Sequence, residues 1–117
     1  MRAVKVNSGK IKEIIADRII KADNFLSKLF GLIVRKKLKS SEGFLIENCS
    51  GIHTFWMRYS IDAVFLNKNN MVLAIYYNIK PFRATPFIKN ACFVLELKSG
   101  TIEKTSLEAG DLLNFEA

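Results

Sequence analysis

The chain contains no apolar run near the ~20 residues that a membrane-crossing helix requires, so no such span is expected. Cysteine is scarce, with only Cys49 and Cys92, and there is a single histidine, His53. The paired close Cys/His spacings of zinc sites are missing. No metal and no other cofactor is expected. Phosphate-loop, nucleophile-elbow, zinc-finger and RNP patterns are absent as well, which removes the sequence grounds for phosphoryl transfer, acyl transfer or base-specific nucleic-acid reading. Two prolines and six glycines leave no room for a long flexible linker. There is no internal repeat and no low-complexity tract. The opening Met1-Arg2-Ala3-Val4-Lys5-Val6 alternates at once and has no signal-peptide apolar region. These features read as a cytoplasmic protein whose thiols are reduced.

What is present is a globular composition. Half of the 117 residues are hydrophobic and a quarter are charged, and a single domain over residues 1–117 fits that size. The net charge is +7, unevenly spread. Residues 1–40 carry eleven Lys/Arg against three Asp/Glu, and residues 41–117 carry seven against eight. The densest cluster is Arg35-Lys36-Lys37-Leu38-Lys39. Its cations Arg35, Lys36, Lys37 and Lys39 are candidates for weak, sequence-indifferent contact with a polyanion. A solvated basic face is the simpler account of the same residues.

Hydrophobic periodicity points mostly to strands. Ala3–Val6 and Ile11–Ile20 flank the turn signal Asn7-Ser8-Gly9-Lys10. Ile61–Leu66 and Met71–Ile79 flank Asn67-Lys68-Asn69-Asn70, where asparagine tolerates left-handed backbone. Phe44–Ile46, Cys92–Lys98 and Leu112–Phe115 complete the set. Asp23 or Asn24 can cap a short helix through Phe25, Leu26, Leu29 and Phe30, ended by Gly31. Further short helical pieces are expected over Leu32–Leu38 and before Leu107. The expected fold class is α+β: mainly antiparallel β-sheet, or a small barrel, with one to three short helices.

Residues 53–62, His-Thr-Phe-Trp-Met-Arg-Tyr-Ser-Ile-Asp, hold the only His and the only Trp and set an Arg and an Asp among large apolar side chains. A charge in such surroundings is costly unless paired or used. If the segment is extended, His53, Phe55 and Met57 share one face, and Thr54, Trp56 and Arg58 the other. Asp62 falls on the face of Val64 and Leu66. It requires a partner such as Arg58, a backbone N–H or His53, and coupling to Arg58 across the bend at Tyr59-Ser60 is the expectation. Glu96, between Leu95 and Leu97, repeats the situation. Tyr76-Tyr77 and the Phe82–Phe87 stretch read as core and rim packing.

Three separated motifs in order carry a family resemblance. They are Gly31-Leu32 with Arg35 and Leu38 ahead of Glu42-Gly43-Phe44-Leu45; the central His53–Leu66 stretch; and Val94-Leu95-Glu96-Leu97-Lys98-Ser99-Gly100 followed by Gly110-Asp111. Together they span residues 22 to 117 and resemble the DUF192 family, with Gly31-Leu32-Ile33 standing where that family often has Gly-Leu-Met. The resemblance implies a compact β-rich domain with short helices and implies no established activity.

The residues support three functional readings. The first is a binding module for a small anionic ligand or a protein partner, at a pocket bounded by His53, Thr54, Trp56, Met57, Arg58, Asp62 and Glu96. The second is a small enzyme with Asp62 or Glu96 as acid/base. The third is the polyanion module of residues 35–39. Against all three stands a purely architectural account, in which the buried charges form an ion-pair network that sets strand register.

Overall fold

The computed structural model describes residues 1–22, 38–54 and 57–117. Eight strands follow one another: β1 Arg2–Asn7, β2 Lys10–Ala16, β3 Arg18–Ala22, β4 Glu42–Glu47, β5 Ile61–Leu66, β6 Val72–Ile79, β7 Phe93–Lys98 and β8 Leu112–Glu116. They form two sheets, a three-stranded one ordered β2-β1-β8 and a five-stranded one ordered β3-β4-β7-β5-β6. Only β3 and β4 run parallel; every other pairing is antiparallel.

The α+β expectation is overturned, and so is the barrel. Among the described residues the only helical piece is the three-residue 3₁₀ turn Ile102–Lys104, and both sheets remain open. The physical reason is local. Ser99-Gly100-Thr101 ahead of that turn and Thr105-Ser106 after it favour turns over helix propagation, while the β-branched, period-two segments all find strand partners. The helices expected over Phe25–Phe30 and Leu32–Leu38 fall on residues 23–37, outside the described residues except for Leu38, which is buried and lies outside any helix.

Both turn signals are realised. Ser8 and Gly9 have φ of 53° and 76°, the doubly left-handed pattern of a two-residue hairpin. Asn67 Oδ1 accepts hydrogen bonds from the N–H groups of Asn69 (2.9 Å) and Met71 (3.0 Å), and Asn70 has φ 65°. The Ile11–Ile20 stretch is two strands, not one. The N–H groups of Asp17 and Arg18 donate to the Ser41 carbonyl at 2.8 and 3.2 Å, and the chain crosses there from one sheet to the other.

The main core lies between the sheets. Ala3, Ile15, Ala16 and Leu113 of the small sheet meet Leu45, Val64, Leu66, Val72, Leu95 and Leu97 of the large one. The opposite face of the large sheet is buried too. There Ala63, Phe65 and Val94 pack with Ile52, Tyr76, Ile79 and Ile88, and Phe44 and Ile46 pack with Leu38. Phe65 and Tyr76 meet edge to face, ring centres 5.7 Å apart. Burial on both faces is why the β5 pattern reads as six consecutive buried residues.

Candidate functional site

Strand register separates the two buried carboxylates. Asp62 pairs with Leu97 and Ala63 pairs with Glu96. Cross-strand partners share a face and successive residues alternate. Asp62 therefore points into the inter-sheet core, and Glu96 points to the other side with Ala63 and Phe44. Both are fully buried, yet they do not converge.

The carboxylate of Asp62 is held by backbone. Oδ1 accepts the Asn78 N–H at 2.8 Å. Oδ2 accepts the N–H groups of Gly100 at 3.1 Å and Ile102 at 3.0 Å. Three N–H donors satisfy both oxygens of this buried carboxylate. Asp62 is thereby a fastener that ties the β7 exit turn and the end of β6 onto β5. No ion pair joins it to Arg58, whose side chain is exposed. The expected Arg58–Asp62 coupling is replaced by a backbone clasp.

Among the described residues, those of 53–60 lie outside any named strand. His53 forms an isolated bridge with Ala84, and the Met57 N–H turns back to the Thr54 carbonyl at 3.2 Å. Thr54, fully buried, is a hub. Its hydroxyl donates to the Lys80 carbonyl at 2.6 Å and accepts the Arg83 N–H at 3.0 Å. Its own N–H donates to the Arg83 carbonyl at 2.8 Å, and its carbonyl accepts the Phe82 N–H at 2.9 Å. The ladder continues with Thr85 N–H to Ile52 O (2.9 Å) and Ile88 N–H to Ser50 O (2.8 Å). The segment before β5 is thus pinned along the connection from β6 to β7. Trp56 lies outside the described residues, and Met57 is buried.

One corner therefore brings together the backbones of His53, Arg58, Lys80 and Arg83. It is electropositive by sequence, because no Asp or Glu occurs between Asp62 and Glu96. Arg58, Lys80 and Arg83 are exposed, and none of them is in an ion pair among the described residues. Of the proposed site residues, then, the structure groups His53, Thr54, Met57 and Arg58 and sends Asp62 to the far face. Sequence reasoning missed Lys80 and Arg83. The signal available was the 33-residue interval without a carboxylate.

Elsewhere, a cleft of about 260 Å³ is lined by Glu13, Ser41, Lys98, Ser99, Thr101 and Lys104 among others. Glu13 Oε1 accepts both the N–H and the hydroxyl of Ser106 at 3.0 and 2.8 Å. A carboxylate on its wall makes this cleft a poorer place for an anion than the Thr54 corner. Of the basic cluster, Lys39 is exposed and its N–H donates to Glu42 Oε1 at 2.8 Å, while Arg35, Lys36 and Lys37 lie outside the described residues. Among the described residues no group of three or more His, Cys, Asp or Glu is placed to hold a metal. No described helix is long and apolar enough to cross a membrane.

Comparison with known proteins agrees with the motifs. The sequence pattern of DUF192, described as an uncharacterized ACR, matches residues 4–115. A UPF0127 protein of Pyrococcus furiosus is 34% identical over 99 residues, covering 80% of this chain and 83% of that protein. A UPF0127 protein of Thermococcus sibiricus is 26% identical over 116 residues, covering 96% and 70%. In fold, the chain is similar to a crystal structure of a protein of unknown function from Novosphingobium aromaticivorans. The TM-score there is 0.77 at 17% identity, over 97% of this chain and 84% of that one. This chain belongs to the DUF192 family, which has no assigned activity.

Proposed function

We propose that this DUF192 domain is a binding module for a small anionic group, held at the Thr54 corner where residues 53–58 meet residues 80–84. The observation that carries the reading is the hub itself. Four hydrogen bonds on Thr54 fix the backbones that bear Lys80 and Arg83 next to the turn that bears Arg58. The nearest carboxylate in sequence, Asp62, is turned away and satisfied by three N–H groups. Cations that make no ion pair among the described residues, set on a hydrogen-bonded frame, favour an anion without costing the ordering of a mobile loop. The same geometry weakens the Asp62 form of the acid/base alternative. Asp62 is buried, and both its oxygens are engaged, so it is a poor proton carrier.

The test is thermal melting with inorganic phosphate and glycerol 3-phosphate at constant ionic strength, with chloride as the control. A ligand of the folded state raises the midpoint. We expect a rise with both phosphates that Arg58→Met and Arg83→Gln reduce. Equal midpoints in phosphate and chloride would overturn the reading.

A further inference from the structure

The connection from β6 to β7, Lys80-Pro81-Phe82-Arg83-Ala84-Thr85-Pro86-Phe87-Ile88-Lys89, presents two phenylalanines to solvent. Phe82 is 62% exposed and Phe87 is 75% exposed. Neither fits the core-and-rim role expected of this stretch. Single exposed apolar residues are ordinary, but two rings on one short connection, rimmed by cations, make a candidate interaction surface.

Phe82 also sits at φ 61°. A bulky side chain at positive φ is a backbone outlier, retained only where the surroundings impose it. Here the imposing groups are the Thr54 carbonyl, which takes the Phe82 N–H, and the Thr54 hydroxyl, which takes the next N–H. The bonds from Thr85 to Ile52 and from Ile88 to Ser50 hold the rest of the connection. The rings are therefore presented on a fixed frame and not on a loose loop.

Each ring has a cation close by in sequence. Lys80 and Arg83 flank Phe82, and Lys89 follows Phe87; all three cations are exposed. A connection that carries rings and cations and has no carboxylate of its own matches a lipid–water boundary, where rings enter the acyl region and cations meet headgroup phosphate. Base stacking on single-stranded nucleic acid calls instead for aromatics within a groove that tracks the backbone. These rings stand on an exposed connection, most of their surface open to solvent.

We infer that the 80–89 connection docks this protein on an anionic lipid surface, with Phe82 and Phe87 seated among acyl chains and Lys80, Arg83 and Lys89 against headgroup phosphates. The inference rests on the small-anion reading of the Thr54 corner and names a bilayer surface as the source of the anion.

Co-sedimentation of the full chain with phosphatidylcholine vesicles, with and without phosphatidylglycerol, tests it. Binding is expected only with phosphatidylglycerol. Phe87→Ser and Phe82→Gly are each expected to weaken it about tenfold. Replacing Lys80, Arg83 or Lys89 by Gln is expected to weaken it about fivefold apiece. Phe82→Gly should keep or raise the melting temperature, because glycine accepts positive φ without strain. Loss of docking is thus separated from loss of fold. Three outcomes overturn the inference: no preference for anionic vesicles, anionic binding that ignores both rings, or single-stranded DNA bound more tightly than vesicles through the same rings. Should glycerol 3-phosphate still stabilise the protein through Arg58 while vesicles fail, the lipid surface falls and the small-anion reading stands.

Discussion

Replacing Asp62 tests the architecture most directly. In Asp62→Ala the N–H groups of Asn78, Gly100 and Ile102 lose their acceptor together. An unsatisfied buried donor costs about 1–3 kcal/mol. Ile102 is 2% exposed, whereas the Gly100 turn is half-buried and water can relieve it. The expected loss is therefore ~3–5 kcal/mol, a large share of the ~5–15 kcal/mol typical of a domain. Asp62→Asn keeps the shape and one acceptor oxygen. If that oxygen serves Gly100 and Ile102, the amide NH2 faces the Asn78 N–H, donor against donor. About 2–3 kcal/mol, or a fall of about 10 °C in Tm, is expected. Arg58→Met is expected to change stability by less than ~0.5 kcal/mol, as for an exposed residue outside any network. The double variant Arg58→Met/Asp62→Asn should be additive within ~0.5 kcal/mol. Urea melts of the parent and the four variants, each expected to show one transition, read all of this. If Asp62→Asn matches the parent, the backbone clasp is refuted; if the double variant departs from additivity by more than ~1 kcal/mol, an Arg58–Asp62 pair returns.

Two further outcomes follow from the fold. Thr54→Val removes the hydroxyl bonds to Lys80 and Arg83; it is expected to cost about 1–3 kcal/mol and to speed amide exchange from Phe82 to Ile88, whereas Thr54→Ser retains both by NMR exchange. Gly43→Ala places a methyl 2.8 Å from Ile19 Cδ1 and 3.1 Å from both Leu95 Cδ1 and Leu97 Cδ2, so overpacking of about 1–3 kcal/mol is expected in urea melts, partly relieved by Ile19→Val; no loss in the single variant would show that this contact is slack.

Local chemistry was legible and long-range geometry was not. Ser8-Gly9 and Asn67–Asn70 announce their hairpins because the left-handed backbone they adopt is a property of the residues themselves. The alternation of Asp62 with Val64 and Leu66 placed that carboxylate on an apolar face, where it is found. What it bonds to depends on residues 78, 100 and 102, brought in by two other strand ends, and no spacing within 53–62 encodes that. Glu96 reads as a partner in the same site because its own strand pattern looks the same. A one-residue difference in cross-strand register decides which face it takes, and the pairing of Glu96 with Ala63 decides against convergence. The exposure of Phe82 and Phe87 is likewise hidden, since composition favours burial for phenylalanine, and the backbone bonds that hold this connection, from Phe82 to Thr54, Thr85 to Ile52 and Ile88 to Ser50, join residues far apart in sequence.

β1 lies between β2, which follows it immediately, and β8, the final strand. One of its edges closes by a local hairpin, an event of about 1–10 μs. The other must wait for a segment far along the chain: Arg2 Nε and Glu116 Oε1, 2.6 Å apart in space, are separated by 114 positions in sequence. During synthesis the early hairpin therefore carries a bare β1 edge until Leu112–Glu116 have emerged. Pairing at such sequence separation slows folding, and a bare edge invites the strands of other chains. Arg2 and Lys5 stand on that strand. In the finished protein they reach Glu116 and Asp111, and before β8 arrives their charges guard the edge it will fill.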